Sequence, residues 1–214
     1  DIVIDYMGYA SFTSFYASQV GRNRITWIHE ERIGWAYREL NFIYDNFKKI
    51  FTICQDCADE YARIYPKRAD KLVVMHNIVD DYEIRKKAQE KPTVNYFNDG
   101  VFNIVSVGRL TEQKSFDKAI EAAEIMRDQN YRFQWIILGT GIEEEKLKKL
   151  IADKKLEKHV IMHGFDTNPY SYMKRGDIYV QTSLAEGQCT TITEAVLLGK
   201  AVVSTEVSGV DEQL

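Results

Sequence analysis

Arg109 and Lys114 are two cations five residues apart in Ser106-Val107-Gly108-Arg109-Leu110-Thr111-Glu112-Gln113-Lys114-Ser115, between a strand pattern and a helix pattern. Arginine offers a planar fork for paired phosphate oxygens and lysine a mobile point charge, so the pair could grip a diphosphate. Two surface cations on a loop is the plainer reading. Ile137-Leu138-Gly139-Thr140-Gly141 again runs from strand through Gly-x-Gly into helix. Glycine lets backbone approach a ligand closely, although a tight turn without ligand contact fits equally. Position 144 is Glu, so this is not the dinucleotide fingerprint, and no Walker-type phosphate loop occurs. The third run, Thr182-Ser183-Leu184-Ala185-Glu186-Gly187-Gln188-Cys189-Thr190-Thr191-Ile192-Thr193-Glu194-Ala195, places Glu186 in a loop and Glu194 in the helix that follows. The helix start over 187–191 offers N–H groups to an anion. Glu194 points back toward that start. Its carboxylate can accept hydrogen bonds from a vicinal diol, as acidic residues do with ribose; a helix-dipole partner is the alternative.

Something must hold these loops together. Strand patterns occur at 2–4, 25–28, 50–54, 72–75, 102–107, 133–138, 160–162, 178–180 and 201–203. Helix patterns lie at about 34–48, 55–65, 115–129, 142–155, 168–175 and 190–198. Alternation of near-continuous apolar strands with helices predicts parallel sheets covered by helices, the α/β class. In such sheets ligands bind beyond the carboxyl ends of the strands, where all three loops fall. Residues 81–100 are polar, carry Pro92 and end in Asn98-Asp99-Gly100. They read as the boundary between two α/β units.

Composition excludes several classes. The chain has 214 residues, 45% hydrophobic, with net charge −4, too apolar and too weakly charged for disorder. No apolar run approaches the ~18 residues of a membrane-spanning helix. Residues 1–100 carry 14 basic and 15 acidic side chains, and 101–214 carry 14 and 17, so nucleic-acid binding has no electrostatic support. The three cysteines are an odd count that implies no disulfide framework and fits a reducing compartment. The sequence opens at Asp1 inside a strand-like run and closes at Leu214 as a helix begins, which reads as a piece of a longer polypeptide.

Taken together, the three loops resemble the donor-binding half of a retaining, GT-B-fold glycosyltransferase of glycosyltransferase family 4, the group 1 glycosyl transferases. The resemblance covers most of 101–214. It includes the Gly-Arg-Leu…Lys loop, the Gly-x-Gly turn and the Glu-x7-Glu pair at Glu186 and Glu194. Gly199-Lys200-Ala201-Val202-Val203-Ser204-Thr205 and Ser208-Gly209-Val210-Asp211-Glu212 match as well. Where many members have Glu-Gly-Phe-Gly, this chain has Glu186-Gly187-Gln188-Cys189; where many have Gly-x-Pro, it has Gly199-Lys200-Ala201.

The resemblance implies two Rossmann-like domains, both incomplete here: 1–80 as the second half of an acceptor-side domain, 81–100 as linker, and 101–214 as a donor-binding domain lacking its last elements. Arg109 and Lys114 would bind and stabilise the departing nucleoside diphosphate. Glu194 would hold the ribose and Glu186 would lie near the sugar. The backbone N–H groups of Gly187, Gln188, Cys189 and Thr190 would contact sugar hydroxyls and phosphate, Gly108, Gly139 and Gly141 would border the donor, and the His163-Gly164-Phe165-Asp166 loop, Phe165 included, would sit near the base. His29, closing Ile25-Thr26-Trp27-Ile28-His29, would contact acceptor or donor sugar, against a plainer reading as a structural histidine. The parent would transfer a hexose from a nucleotide-sugar to a glycan or lipid-linked acceptor, with retention and with no metal or other cofactor. It would work in the cytoplasm on a surface glycan or glycolipid. A GT-B epimerase or synthase and a non-catalytic nucleotide-sugar-binding module are the alternatives, and activity of this piece alone is left open.

Three further features weigh less. Cys54-Gln55-Asp56-Cys57 is formally a CxxC motif, but its flanks lack the Trp and Pro of thioredoxin-like sites, and Cys189 is too distant in sequence to suggest zinc. The helix pattern over 35–49 is aromatic and ends in cations. Core packing is one reading and peripheral contact with the inner face of a membrane is the other. Asn77 and Asp80 read as structural, and His76, His159 and His163 show no ligand-like spacing.

Overall fold

The computed structural model describes residues 1–8, 12–29 and 41–214. The chain divides into two compact units. The first comprises Asp1–Ile78 with Ala185–Cys189 and Ser208–Glu212; the second comprises Val79–Leu184, Thr190–Val207 and Gln213–Leu214.

The first unit holds four parallel strands in the order β1 (Ile2–Asp5), β2 (Asn23–Ile28), β3 (Lys49–Thr52) and β4 (Leu72–Val74). Among the described residues, two helices join them, α1 (Phe12–Gln19) and α2 (Gln55–Ile64). The core gathers Ile28, Ile43, Tyr44, Phe47, Ile50 and Tyr61, all essentially buried. Buried Asp5 is satisfied by the Thr26 hydroxyl at 2.9 Å, so β1 and β2 are tied by a side-chain bond as well as by their ladder. Part of the helix expected over 34–48 lies outside the described residues. Its continuation is a 3-10 turn, Asn41–Asn46. The turn is anchored by buried Arg68, which donates to Asp45 at 2.7 Å and to Asn41 at 3.1 Å.

The second unit holds five parallel strands in the order β7-β6-β5-β8-β9, where β5 is Phe102–Val107, β6 Phe133–Leu138, β7 Val160–Gly164, β8 Ile178–Gln181 and β9 Ala201–Ser204. Its helices are α3 (Asp81–Ala88), α4 (Phe116–Asp128), α5 (Glu144–Asp153), α6 (Tyr170–Arg175) and α7 (Thr190–Leu197). Val105 pairs with Ile136 on one side and Tyr179 on the other, so β5 is central and the strand order reverses beside it. That reversal is the point where open α/β sheets bind ligands. All six residues of β6 are buried, which explains why five of the six are apolar. Its one polar member, Gln134, donates to Asn103 at 2.5 Å and to the Tyr96 carbonyl at 2.7 Å. Deeper in the sheet, Trp135 donates to the Ser106 hydroxyl at 2.9 Å, and that hydroxyl donates to the Val180 carbonyl at 2.6 Å.

All nine strand patterns are strands here, with edges shifted by two residues at most. Two helices differ from the sequence reading. Helix α3 lies within the polar stretch read as linker. Asp80 caps it by accepting the Glu83 N–H at 2.9 Å, and Arg85, Lys86 and Lys87 fill its last turn, where cations complement the helix dipole. Only Ile84 and Ala88 are buried, so no apolar stripe advertised it. Helix α1 buries Ser14, Ala17 and Ser18 and leaves Phe12, Phe15 and Tyr16 exposed, which reverses the usual pattern.

Candidate functional site

The sequence-derived site residues fall in both units. Gly108, Arg109, Lys114, Gly139, Gly141, Phe165, Thr190 and Glu194 belong to the second, and His29, Glu186, Gly187, Gln188 and Cys189 to the first.

In the second unit the loops beyond the carboxyl ends of β5, β6 and β7 are joined edge to edge. Gly108 donates its N–H to the Leu138 carbonyl at 3.0 Å, Leu110 to Thr140 at 2.9 Å, and Gly139 to Gly164 at 2.7 Å. This close approach is what the glycines permit. A Cβ on Gly139, whose φ is +139°, would lie 1.8 Å from the Gly108 carbonyl oxygen. One on Gly141 would lie 2.2 Å from the Leu110 oxygen. Both glycines therefore serve loop-on-loop packing first. The loop after β8 is tied to the same group: the Thr182 hydroxyl donates to the Lys114 carbonyl at 3.0 Å, and the Leu184 N–H to the Gln113 carbonyl at 2.8 Å.

This backbone framework surrounds a cavity of about 230 Å3 lined by Gly108, Arg109, Gly139, Thr140, Phe165 and Asp166, among others. Four sequence-derived residues thus meet at one concavity. Phe165 is 72% exposed, an aromatic face offered to solvent rather than to the core. Arg109 is exposed, and no hydrogen bond or ion pair to another described residue engages its guanidinium. Lys114 lies at the end of a 3-10 turn, Glu112–Lys114. Its aliphatic stem crosses Gly108, with Cδ and Cε 3.5 and 3.6 Å from where a Cβ on Gly108 would stand. Thr190 is exposed at the first position of α7. One turn on, Glu194 accepts a hydrogen bond from Tyr170 at 3.1 Å. Burial raises the Glu194 carboxyl above its ordinary range, against the lowering effect of the Tyr170 hydroxyl. Burial and the neighbouring Glu194 push Tyr170 up to about 12.

The sequence reading missed Tyr170, and although it set the His163-Gly164-Phe165-Asp166 loop near the base it did not foresee that His163 and Asp166 pair. His163 Nε2 lies 3.1 Å from Asp166 Oδ2, and its Nδ1 lies 3.0 Å from the Tyr96 hydroxyl. Burial works against charge on Asp166. Hydrogen bonds from the Asn168 N–H, Thr93 and His163 outweigh it and hold the carboxyl below its usual range. The pair flanks Phe165 and fixes the turn that presents it. The only sequence signal was proximity, His163-Gly164-Phe165-Asp166.

In the first unit, His29 follows β2 directly, and its Nε2 stands 2.6 Å from the Tyr6 carbonyl oxygen. A carbonyl can only accept, so Nε2 carries a proton. Gly187 runs against His29: a Cβ on Gly187 would fall 2.3 Å from the His29 carbonyl oxygen. That contact brings His29 and the Glu186-Gly187 step together. Gln188 is turned inward, and its Oε1 accepts the Asn77 N–H at 2.6 Å. Cys189 is buried. Among the described residues no group of three or more His, Cys, Asp or Glu is placed to hold a metal ion, and no helix is long and apolar enough to cross a membrane.

Comparison with known proteins adds the following. A family model described as "Glycosyl transferases group 1" matches residues 87–214, more than half of the chain. The amylovoran biosynthesis glycosyltransferase AmsK of Erwinia amylovora is 39% identical over 117 residues, 51% of this chain and 29% of that protein. An N-acetylgalactosamine-N,N'-diacetylbacillosaminyl-diphospho-undecaprenol 4-alpha-N-acetylgalactosaminyltransferase of Campylobacter jejuni is 33% identical over 144 residues, 67% of this chain and 36% of that protein. The chain thus spans about a third of the length of these curated relatives. Among solved structures, Anabaena Alr3699/HepE in complex with UDP superposes with a TM-score of 0.77 at 18% identity, over 98% of this chain and 61% of that one. At that identity the likeness shows the fold, the GT-B type with Rossmann-like parallel sheets.

Proposed function

The chain belongs to the group 1 glycosyl transferases, and from that premise we propose that its parent moves a sugar from a nucleoside-diphosphate sugar to a glycan or lipid-linked acceptor. The observation that carries this reading is the cavity of about 230 Å3 where Arg109, Gly108, Gly139 and Phe165 converge, with the Lys114 stem packed across Gly108. Phe165 offers a face to a base. Arg109 and Lys114 offer cations to the diphosphate. Glu194, one turn into α7, offers acceptor oxygens to a ribose diol, and Thr190 opens the helix whose first N–H groups suit phosphate.

The chemistry follows from charge. Departure of a nucleoside diphosphate builds negative charge on its oxygens. A fixed donor aimed at such charge lowers the barrier by about 3 kcal/mol. Arg109 and Lys114 are the groups we assign to that task, so no metal is required. In the first unit we assign His29 and Glu186 to the transferred sugar, on the family resemblance and on their placement beside each other through Gly187. The family resemblance supports retention of anomeric configuration, the odd cysteine count a cytoplasmic site of action, and the aromatic, cation-ended pattern over 35–49 peripheral membrane contact, all as parts of the same proposal. HepE was solved with UDP, so uridine diphosphate is the first donor fragment to try.

Calorimetric titration with UDP, GDP, dTDP and ADP, repeated with Arg109→Ala and Glu194→Ala, tests the reading. Saturable binding of one diphosphate, weakened in both variants, is expected. Absence of binding by the folded chain, or binding indifferent to both substitutions, removes the assignment of this cavity. Conversion of the matching nucleotide-sugar without acceptor would instead identify an epimerase.

A further inference from the structure

The donor reading makes no use of Cys54 and Cys57. Cys54 is the N-cap of α2, and its Sγ accepts the Cys57 N–H at 3.4 Å. The two Sγ atoms are 3.1 Å apart, in hydrogen-bond contact, and neither cysteine is in a disulfide. Both are buried, against Trp27 and Ile53. Bonded sulfurs lie about 2.05 Å apart, so closure requires a movement of about 1 Å rather than a rearrangement.

The surroundings connect this pair to the 208–212 segment of the same unit. A Cβ on Gly209 would lie 3.3 Å from Cys54 Sγ and 2.6 Å from the Gly187 carbonyl oxygen, so Gly209 is wedged between them. The Gly209 N–H donates to Asp56 at 2.9 Å, and the Gln55 N–H donates to Glu212 at 2.6 Å. The first turn of α2 and the 208–212 segment thus hold each other through two bonds, with Cys54 between them.

We propose that Cys54 and Cys57 form a modification site, a dithiol that a small peroxide converts reversibly to an intramolecular disulfide, loosening the Gln55–Glu212 and Asp56–Gly209 bonds. Burial favours a small oxidant over a bulky disulfide. Cys54 reacts first. The hydrogen bond shared with the Cys57 side chain lowers its thiol's pKa, burial opposes this, and the Cys57 N–H lowers it further. Its thiolate attacks one peroxide oxygen, the O–O bond breaks, hydroxide leaves, and Cys54 becomes a sulfenic acid. The Cys57 sulfur then attacks Cys54 Sγ. The S–S bond forms, the S–O bond breaks and water leaves. Two thiols are oxidised to one disulfide, and one hydrogen peroxide is reduced to two waters. The proposal stands apart from the donor reading, since nothing in it depends on what Arg109 or Glu194 binds.

The test treats the folded chain with hydrogen peroxide, alkylates under denaturing conditions, and maps the three cysteines by peptide mass spectrometry. Loss of alkylation at Cys54 and Cys57 together is expected, with Cys189 still alkylated and dithiothreitol restoring both. Amide hydrogen exchange at Gln55 and Gly209 should quicken roughly fivefold in the oxidised protein, the loss of one net hydrogen bond at each. In Cys57→Ala, peroxide should leave a dimedone-reactive Cys54 and unchanged exchange. The dithiol assignment fails if both thiols stay alkylatable in the folded protein, or if Cys54 over-oxidises without a disulfide. The coupling fails if the disulfide forms but exchange is unchanged, or if exchange quickens equally in Cys57→Ala.

Discussion

In the second unit the loops after β5, β6 and β7 are joined by main-chain bonds from Gly108, Leu110 and Gly139. In the first unit the loops after β2 and β3 are tied by side chains, His29 to the Tyr6 carbonyl and Cys54 to Cys57, and the 185–189 segment is tied likewise, by Gln188 to the Asn77 N–H. The contrast separates two ways of using a loop. Backbone that is satisfied by backbone leaves the side chain at its tip available to a ligand, as at Arg109. A loop held by its polar side chains has committed the bonded atoms, as at the Gln188 oxygen, and those atoms position rather than bind. Six substitutions at five positions probe that contrast.

The largest effect is expected where backbones meet. Gly139→Ala places a methyl 1.8 Å from the Gly108 oxygen at a φ of +139°. It should cost ~3 kcal/mol or more in urea unfolding and abolish nucleotide binding. Gly164→Ala is the matched control: its φ is +88°, but a Cβ there meets nothing within 4 Å. Only backbone strain of about 1–2 kcal/mol is expected. Equal losses at the two sites would mean that loop-on-loop contact is not what Gly139 provides.

Arg109→Ala comes next, on affinity rather than stability. Arg109 is exposed, so unfolding should shift by no more than about 0.5 kcal/mol. A charge-assisted phosphate contact is worth about 1.5–3 kcal/mol. Diphosphate affinity should therefore fall at least tenfold by calorimetry. A stability loss with unchanged affinity would place Arg109 in the structural class.

These two positions also show what the sequence could and could not disclose. The strand pattern ending at Val107, the cations at 109 and 114 and the Gly-x-Gly at 139–141 were all legible, because each is a local run. The purpose of the glycines was not. Their clash partners, Gly108 and Leu110, lie some thirty residues away and are brought close only by pairing of β5 with β6. Tyr170 was hidden for the same reason, since its partner Glu194 sits on a different helix. Helix α3 was hidden by polarity, with two buried residues in eight. The partner of the Gln188 oxygen was hidden as well, since Asn77 lies more than a hundred residues away.

Glu194 gives a smaller, pH-dependent effect. Burial raises its carboxyl, with partial relief from Tyr170. Only the carboxylate can accept both hydroxyls of a diol, so diphosphate affinity should fall severalfold as pH drops, with a midpoint above the ordinary glutamate value of about 4.3. Glu194→Gln should flatten that dependence. For stability the sign is opposite. An acid whose folded pKa is raised favours folding below its unfolded pKa, and this contribution is lost as pH rises through the folded value. Wild type should therefore lose a little stability over that window relative to Glu194→Gln in urea melts at stepped pH. A parallel pH dependence in the two proteins would detach Glu194 from both effects.

The smallest expected effect tests the other side of the comparison. Gln188→Ala removes the oxygen that accepts the Asn77 N–H at 2.6 Å. Asn77 is half-buried, so solvent replaces the bond only in part, and about 1 kcal/mol of stability should be lost. Because the Gln188 oxygen is already engaged within the first unit, affinity for a nucleoside diphosphate should change less than twofold. Gln188→Glu sharpens the point: it keeps an acceptor for the Asn77 N–H and should recover most of the stability while adding a charge. If either substitution instead weakens the diphosphate tenfold with little change in unfolding, then Gln188 binds rather than positions. The division between backbone-held and side-chain-held loops would then fail at the residue where the two units' roles are most easily confused.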